Sequence, residues 1–356
     1  MARPRRTTGW RQLSRGGAVA EQPWSGRRVT LADVAKRAGV STALASIVMR
    51  EAPGASEASR RRVLAAAEDL GYRPDVRARS LASLKPHLIG VLFGRAGRFH
   101  FELIDGLYAA AEERGWELVL SALTSSRDEA RALSSLNDFR FDALVMLGPP
   151  VAEPMLAGQV PLTVIGWHVD QPDVDIVRTS DEHGLNLAVR HLVELGHRRI
   201  AHLQGGDGLV AIARRDAYVA AMRDVGLDHE VRIIECAGED QLDGQRAARA
   251  LLDENTELPT ALVAFNDDIA AAAMSVLAQH GIDVPGDMSI IGFDDSALAR
   301  SPEVDLTSVQ QVPQELARLA VERIVARCEG RKVADREMVL EPELKVRSST
   351  GPAPSA

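Results

Sequence analysis

The stretch VTLADVAKRAGVSTALASIVMR, residues 29–50, predicts two short helices joined by a tight turn. Thr30 is suited to cap the first helix, because Asp33 follows at the third helical position and completes a capping box. Gly39 permits the positive φ that ends this helix. Behind the cap, apolar residues recur at helical spacing on one face: Leu31, Val34, Ala35 and Ala38.

Two further helices follow this first one. Ser41 is a suitable cap for the second, and Ser56 for the third, which ends at Gly71. The predicted buried positions are Leu44, Ala45 and Val48 on the second helix, and Val63, Leu64, Ala67 and Leu70 on the third. Residues 29–72 therefore form a helix–turn–helix pattern, whose second helix is free to enter a DNA major groove. A small helical cap on a larger domain is the alternative.

The charge is distributed unevenly along the chain. The whole chain carries a net charge of −8, but residues 1–86 contain 17 Lys and Arg against 7 Asp and Glu, a net +10, so residues 87–356 carry −18. A basic head on an acidic body indicates that the head meets an anion. Residues 1–28 have no apolar periodicity, and we expect a disordered basic arm there.

Several function classes and locations are disfavoured by composition. The N-terminus lacks the apolar segment of a secretory signal, and no apolar run approaches the roughly 20 residues that cross a membrane. The two cysteines, Cys236 and Cys328, fit a reducing compartment. We therefore expect a cytoplasmic protein without membrane contact.

From Leu88 onward, apolar runs of strand length alternate with helical stretches, as in LIGVLF (88–93), ELVLSAL (117–123) and ALVAFN (261–266). This alternation predicts parallel sheets with helical crossovers, and the number of units favours two α/β subdomains of the periplasmic-binding-protein type. The predicted boundaries are an arm at 1–28, a helix–turn–helix domain at 29–72, a hinge at 73–86, a ligand-binding and dimerisation domain at 87–350 and a disordered tail at 351–356.

The motifs TLADVA, AGVS, SEASR, LGYRP and ARSL, in this order, resemble the start of lactose-repressor-type (LacI/GalR) transcription regulators. The likeness continues over roughly residues 29–350. It implies a helix–turn–helix head plus a hinge helix, followed by an α/β core of two parallel-sheet subdomains. It also implies a homodimeric repressor that binds a pseudo-palindromic double-stranded DNA operator under the control of a small molecule, such as a sugar.

The resemblance assigns DNA contacts to the head and to the hinge. In the hinge, Leu81 takes the position of a leucine that enters the minor groove. The second helix departs from the family pattern, because Ala43 and Ile47 offer a base edge only apolar contact, as to a thymine methyl. The predicted DNA-contacting residues are Thr30, Ser41, Thr42, Ala43, Ser46, Ile47, Arg50, Arg77, Arg79 and Leu81.

Polar residues that follow predicted strands suggest a ligand site, because ligands of parallel sheets bind at the carboxyl ends of the strands. The resemblance maps ligand contacts onto Arg214, Asn266 and Asp294, with Arg215 ranked second to its neighbour. The candidate apolar wall consists of Phe101, Trp167 and Phe265. Two of them have structural alternatives, Asn266 with Asp267 as a turn or cap and Asp294 with Asp295 as a helix N-cap pair. Gly166 and Pro313 depart from the family, so the ligand need not be a familiar sugar.

Two other functions compete with a ligand-controlled regulator. A solute-binding protein of a transporter would share the α/β body but would not need residues 29–86. A nucleotide-using α/β enzyme would need a catalytic constellation, and none is recognisable. The histidines His183, His191, His197 and His202 lack zinc-site spacing, so we expect neither a metal nor another cofactor.

Overall fold

The computed structural model describes residues 29–49, 52–72, 87–94, 97–124, 126–148, 160–254 and 257–355. The chain divides into two compact units between residues 84 and 85. The predicted arm (1–28) and hinge (73–86) lie outside the described residues, and so do the predicted contacts Arg50, Arg77, Arg79 and Leu81.

The first unit contains the three predicted helices: α1 (Leu31–Ala38), α2 (Thr42–Met49) and α3 (Glu57–Asp69). The capping box at α1 is confirmed, and Gly39 ends this helix with φ 65°. The Ser41 hydroxyl accepts a hydrogen bond of 3.2 Å from the backbone N–H of Leu44, as expected for the cap of α2. Local sequence signals therefore define both ends of the turn.

A small core of valine and alanine holds the three helices together. Its buried members are Val34, Ala35, Ala38, Ala45, Val48, Val63, Ala66 and Ala67. The prediction that Leu64 belongs to this core is wrong, because Leu64 is 51% exposed. Val63, Ala66 and Ala67 occupy the inner face of α3, and Leu64 points about 100° away from Val63 around the helix.

The second unit contains two six-stranded sheets. The strands of the first sheet are β1 (Leu88–Phe93), β2 (Glu117–Ala122), β3 (Ala143–Leu147), β4 (Leu162–Ile165), β5 (Val174–Thr179) and β11 (Glu337–Leu340). The strands of the second sheet are β6 (Ile200–Gln204), β7 (Arg232–Glu235), β8 (Ala261–Ala264), β9 (Ser289–Asp294), β10 (Thr307–Gln310) and β12 (Glu343–Lys345).

The two sheets have matching strand orders, β11-β5-β4-β3-β1-β2 and β12-β10-β9-β8-β6-β7. Every paired strand of the first sheet is parallel to its neighbour. The second sheet is parallel apart from its edge strand β12, which runs antiparallel to β10. The predicted fold class is confirmed, with this antiparallel edge as the exception.

Helices cover both faces of each sheet, which explains why the strands are nearly continuous apolar runs. The helices are α4 (Arg98–Glu112), α5 (Glu129–Asn137), α6 (Asp181–Glu194), α7 (Leu209–Asp224), α8 (Gln241–Asp253), α9 (Asp267–Gln279) and α10 (Pro313–Cys328). On the first sheet, α4 and α10 pack together on one face and α5 covers the other. On the second sheet, α6 and α7 cover one face and α8 and α9 the other.

The chain passes between the two sheets three times. It leaves the first sheet after β5, returns after β10 and leaves again after β11. The connecting residues are short: 180, 311–312 and 341–342. The two halves of the second unit are therefore joined by three adjacent segments.

The predicted disorder of residues 351–356 is wrong for the described part, 351–355. The backbone N–H of Gly351 donates to the Ser289 hydroxyl at 3.0 Å, and the N–H of Ala353 donates to the Leu195 carbonyl at 2.9 Å. His197 also contacts the Gly351 carbonyl at 3.1 Å. These polar partners on the second sheet and after α6 hold a segment whose composition alone suggested no structure.

Among the described residues, no helix is both long and apolar enough to cross a membrane.

Candidate functional site

A cavity of about 1010 Å³ lies between the carboxyl ends of the two sheets. Parallel sheets place the loops after their strands along one edge, and here the edges of two sheets face each other. The structure brings six sequence-predicted residues to this cavity: Phe101, Trp167, Arg214, Phe265, Asn266 and Asp294.

Arg214, on α7, is the buried cation of the cavity. Its Nε donates to Asp181 Oδ1 at 2.9 Å, and its Nη1 donates to the Phe265 carbonyl at 2.6 Å. The guanidinium also lies 3.6 Å from the centre of the Phe293 ring, a cation–π distance. Arg214 is therefore fixed from three sides, which favours a definite orientation toward a ligand.

Asp294 ends β9 opposite this arginine. One carboxylate oxygen lies 3.9 Å from Arg214 Nη1 and accepts a 2.8 Å hydrogen bond from the Gln311 amide. Burial raises the pKa of Asp294 well above its usual range, although Arg214 opposes the shift. Its φ of 112° is unusual for a residue with a side chain, and such strain concentrates at functional sites.

Asp181, at the start of α6, shares Arg214 with Asp294. Burial raises the pKa of Asp181, and the charge of Arg214 offsets part of that rise. Two buried carboxyl groups thus face one guanidinium. Asp294, which lines the cavity, offers hydrogen-bond acceptors to a ligand, and Asp181 helps to balance the charge of Arg214.

Asn266 combines a structural role with its place in the cavity wall. Its Oδ1 accepts from the backbone N–H of Ile269 at 2.8 Å, so it caps α9, and its Nδ2 donates to the Glu239 carbonyl at 2.9 Å. The cap considered as an alternative from the sequence is therefore present. An amide nitrogen carries two N–H donors, so a second one remains for other contacts.

Aromatic side chains form much of the remaining wall. Trp167 is buried, and its indole Nε1 has no hydrogen-bond partner among the described residues. Phe101 is 64% exposed where it borders the cavity. Phe265 packs so closely on Gly205 that a Cβ there would lie 2.2 Å from the ring, which requires glycine at this position.

Sequence reasoning missed His100 and Gln311, which line the cavity, and Asp181, which contacts Arg214. His100 lies near the start of α4, and burial lowers the pKa of His100 to about 4, so the imidazole is neutral near pH 7. Gln311 and Asp181 follow strands that the sequence reading did not predict. A search for polar residues after every strand would have found both of them.

Arg215 does not line the cavity, whereas Gly166 does. Arg215, the second choice to Arg214, pairs with Asp216 at 2.7 Å near the surface. Gly166 lines the cavity with φ 110°, a backbone conformation that favours glycine over the aspartate of some family members.

Ion pairs connect the two halves beside the cavity. Arg98 Nε, on α4, lies 3.2 Å from Asp268 Oδ1 on α9. Glu102 accepts from the backbone N–H of Ala297 at 3.1 Å and lies 3.4 Å from Arg300 Nη2. The separation of the two halves is therefore coupled to contacts at the start of α4, close to Phe101.

Two buried histidines outside the cavity contact hydroxyl and carbonyl groups. His197 contacts the hydroxyls of Thr260 and Ser289 at 2.9 and 3.0 Å, and His202 Nδ1 contacts the Val263 carbonyl at 2.9 Å. Among the described residues, no group of three or more His, Cys, Asp or Glu could hold a metal ion.

The head places its predicted DNA contacts in two ways. Thr30 and Ser41 are cap residues at the starts of α1 and α2. On α2, Thr42 and Ala43 are exposed, while Ser46 and Ile47 are half-buried. The described contacts predicted on α2 thus lie on its exposed or half-buried side, and Thr30 and Ser41 lie at the starts of the two helices.

Two family models match the chain. Residues 30–75 match "Bacterial regulatory proteins, lacI family", and residues 189–350 match "Periplasmic binding protein-like domain". The first match covers the head, and the second covers most of the half that contains the second sheet.

Curated relatives and solved structures extend over almost the whole chain. The HTH-type transcriptional regulator GalR of Escherichia coli strain K12 is 32% identical over 90% of this chain and 95% of its own. A crystal structure of the lac repressor dimer, bound to operator and the anti-inducer ONPF, has a TM-score of 0.78 at 28% identity and covers 91% of this chain and 100% of that one. A complex of the transcriptional regulator CelR with cellobiose has a TM-score of 0.67 at 28% identity, with coverage of 90% and 100%.

Proposed function

Because the chain belongs to the lacI family of bacterial regulatory proteins, we propose that it is a repressor controlled by a small uncharged ligand in the cavity. One copy of the chain supplies one head, and a homodimer supplies the two heads that a pseudo-palindromic operator requires. The family consists of transcription regulators, and the proposal includes no enzymatic activity. We place its action in the cytoplasm, where the operator is.

The observation that carries the proposal is that one chain contains both a helix–turn–helix head and a large cavity at facing strand ends. The head supplies a means to bind DNA, and the cavity supplies a means to bind a metabolite. The lac repressor, which resembles this chain over both parts, binds operator as a dimer and takes a small ligand. A solute-binding protein would need the cavity but not the head.

Charge in the cavity favours an uncharged ligand. Among the described lining residues, the two arginines are both paired: Arg98 with Asp268, and Arg214 with Asp181 and Asp294. A phosphorylated ligand would have to displace these carboxylates or sit beside them, and like charges at close range are costly. A ligand with hydroxyl groups instead donates to carboxylates and accepts from Arg214.

Each part of the wall has a distinct role in this proposal. Asp294 accepts hydrogen bonds from ligand hydroxyls, and the remaining N–H of Asn266 donates to one. Trp167 Nε1 finds an acceptor in the ligand, which removes the cost of a buried unpaired donor. Phe101 and Phe265 pack on the apolar face of a sugar ring. CelR, whose solved complex contains cellobiose, shows that a relative with this fold accommodates a disaccharide.

Ligand control requires that the ligand favour one arrangement of the two halves over another. Contacts from Phe101 and Trp167 in the first half and from Asn266 and Asp294 in the second would draw the halves together. The heads of a dimer are attached to the first half, so a change in closure alters how they meet an operator.

A thermal-shift screen tests the ligand part of the proposal. The probes are neutral mono- and disaccharides, each paired with its phosphorylated form. We expect a neutral sugar to raise the melting temperature and its phosphate to do so much less, because ligand at 100 times its Kd stabilises by about 2.7 kcal/mol. Asp294→Asn and Trp167→Phe should each reduce the shift.

Two outcomes would contradict different parts of the proposal. A melting-temperature shift that stays unchanged in both variants would show that the ligand does not bind in this cavity. A larger shift with the phosphorylated sugar would contradict the preference for an uncharged ligand. Fluorescence anisotropy with DNA tests the regulator itself: we expect selective binding that weakens steeply between 50 and 200 mM salt. Binding that is absent under every ligand and salt condition would refute the regulator.

A further inference from the structure

The outward face of α2 carries only small and apolar side chains and hydroxyl groups. Buried Ala45 and Val48 mark its inner side. Helical geometry places Ala43, Ser46 and Ile47 on the opposite side. Ala43 is exposed, and Ser46 and Ile47 are half-buried.

This face lacks the chemistry that usually identifies a base pair. Bidentate contacts to base edges come from Arg, Lys, Asn and Gln, and cytosine is read by Glu or Asp. All eight residues of α2 are described, and none is of these types. The hydroxyls of Thr42 and Ser46 bond equally well to several bases, so they discriminate weakly.

Apolar side chains recognise one feature of the major groove, the C5-methyl group of thymine. The N-terminal part of a recognition helix is the part that contacts base edges, and Ala43 lies there one turn before Ile47. We propose that α2 selects its half-site through thymine methyl groups, with Ala43 and Ile47 as the specificity-determining residues. The inference rests on the proposed operator binding.

The size of the effect follows from the burial of a methyl group. Removing one buried methyl contact should weaken binding about fourfold. In a dimer on a symmetric operator, removing the equivalent methyl from both half-sites should weaken binding about 16-fold. These changes are within the range of an anisotropy titration.

Replacement of thymine by deoxyuridine tests the proposal directly, because the two bases differ only in the methyl group. Operators are first selected from a random duplex pool with the full chain. Each half-site thymine is then replaced by deoxyuridine in turn, and the Kd is measured at fixed salt. We expect about fourfold weaker binding at one or more positions and no change when thymines outside the selected site are replaced.

Protein variants connect the effect to α2. Ile47→Val keeps an apolar contact and should retain the thymine preference, whereas Ile47→Ser should lose it. Because Ile47 is half-buried, the melting temperature of the Ile47→Ser variant is measured to check that it folds. Ala43→Ser provides a second test at an exposed position. Ala43→Ser should reduce the preference without loss of fold.

The outcomes separate this inference from the proposed function. Selective binding in which every deoxyuridine duplex stays within twofold of its thymine counterpart would overturn the methyl readout and leave the regulator intact. A thymine preference unchanged in both Ile47→Ser and Ala43→Ser would also overturn it. Absence of selective DNA binding would defeat both proposals.

Discussion

The two halves of the second unit share a strand order but line the cavity with different chemistry. The first-sheet half contributes an apolar and aromatic surface: Phe99, Phe101, Leu103, Leu147, Ile165 and Trp167. The second-sheet half contributes most of the charged and amide groups, among them Asp207, Arg214, Asn266, Asp268 and Asp294. A common topology thus supports one polar wall and one apolar wall, which in the proposed function orient the ligand and pack against it.

This difference suggests how binding and closure are divided. Hydrogen-bonding groups fixed in one half, such as Arg214 held by Asp181, can orient a ligand before the halves meet. Apolar groups in the other half gain contact only when the halves close over the ligand. Three substitutions would break or sharpen this comparison.

Loss of the fixed cation should have the largest effect. Arg214→Ala leaves Asp181 and Asp294 buried without their shared partner. Breaking a buried ion pair costs about 3–5 kcal/mol, and we expect the lower end because both carboxyls can take up a proton. Arg215→Ala is the matched control and should change the free energy of unfolding by less than about 0.5 kcal/mol. Urea denaturation measures both variants, and equal effects would show that Arg214 does not organise the polar wall.

A pH dependence should arise in the polar half. Burial raises the pKa of Asp267 to about 7. Hydrogen bonds donated by Ser308 Oγ and by the Ser296 N–H favour the ionised form and offset part of this rise. The folded state therefore favours protonated Asp267, and this stabilisation is complete below about pH 4 and is lost as pH rises toward 7.

Asp267→Asn should remove that dependence. Relative to the unsubstituted chain, the variant should gain stability as pH rises from about 4 to 7, by at most about 1.4 kcal/mol per pH unit. Denaturation at a series of pH values measures the difference. Parallel stability profiles would mean that Asp267 is ionised throughout and does not titrate in this window.

The smallest effect is expected in the apolar half. Phe101→Ala should weaken the binding of a sugar identified in the screen about tenfold, because apolar contact is lost. The melting temperature of the free protein should change little, because Phe101 is largely exposed. Tyr108→Ala is a control on the same helix, since Tyr108 is exposed but does not line the cavity. Similar ligand affinities for the two variants would remove Phe101 from the binding surface.

Much of the fold was predictable because its signals are local. LIGVLF and ALVML are strand-length apolar runs, and the caps at Thr30 and Ser41 depend on residues three positions away. The placement of Arg214, Asn266 and Asp294 at one cavity followed from the rule that parallel strands end on one edge, together with the family resemblance.

The missed elements depend on partners far along the chain. β5 (VDIVRT) contains Asp175 and Arg178, which interrupt its apolar pattern. Asp175 pairs with Arg327 at 2.9 Å, and Arg178 with Glu337 at 2.6 Å. Such pairs lie about 150 residues apart and have no local signature. Gln311 and Asp181 were overlooked for the same reason, since the strands preceding them were not recognised.

The triple connection between the two sheets has a mechanical consequence. A single connecting segment would let one half rotate freely relative to the other, but three segments at residues 180, 311–312 and 341–342 resist twisting. Hinge bending about all three segments remains the least restricted motion, so we expect the two halves to open and close about this hinge. A ligand bound in the cavity as proposed can then produce one reproducible displacement of the first-sheet half relative to the second.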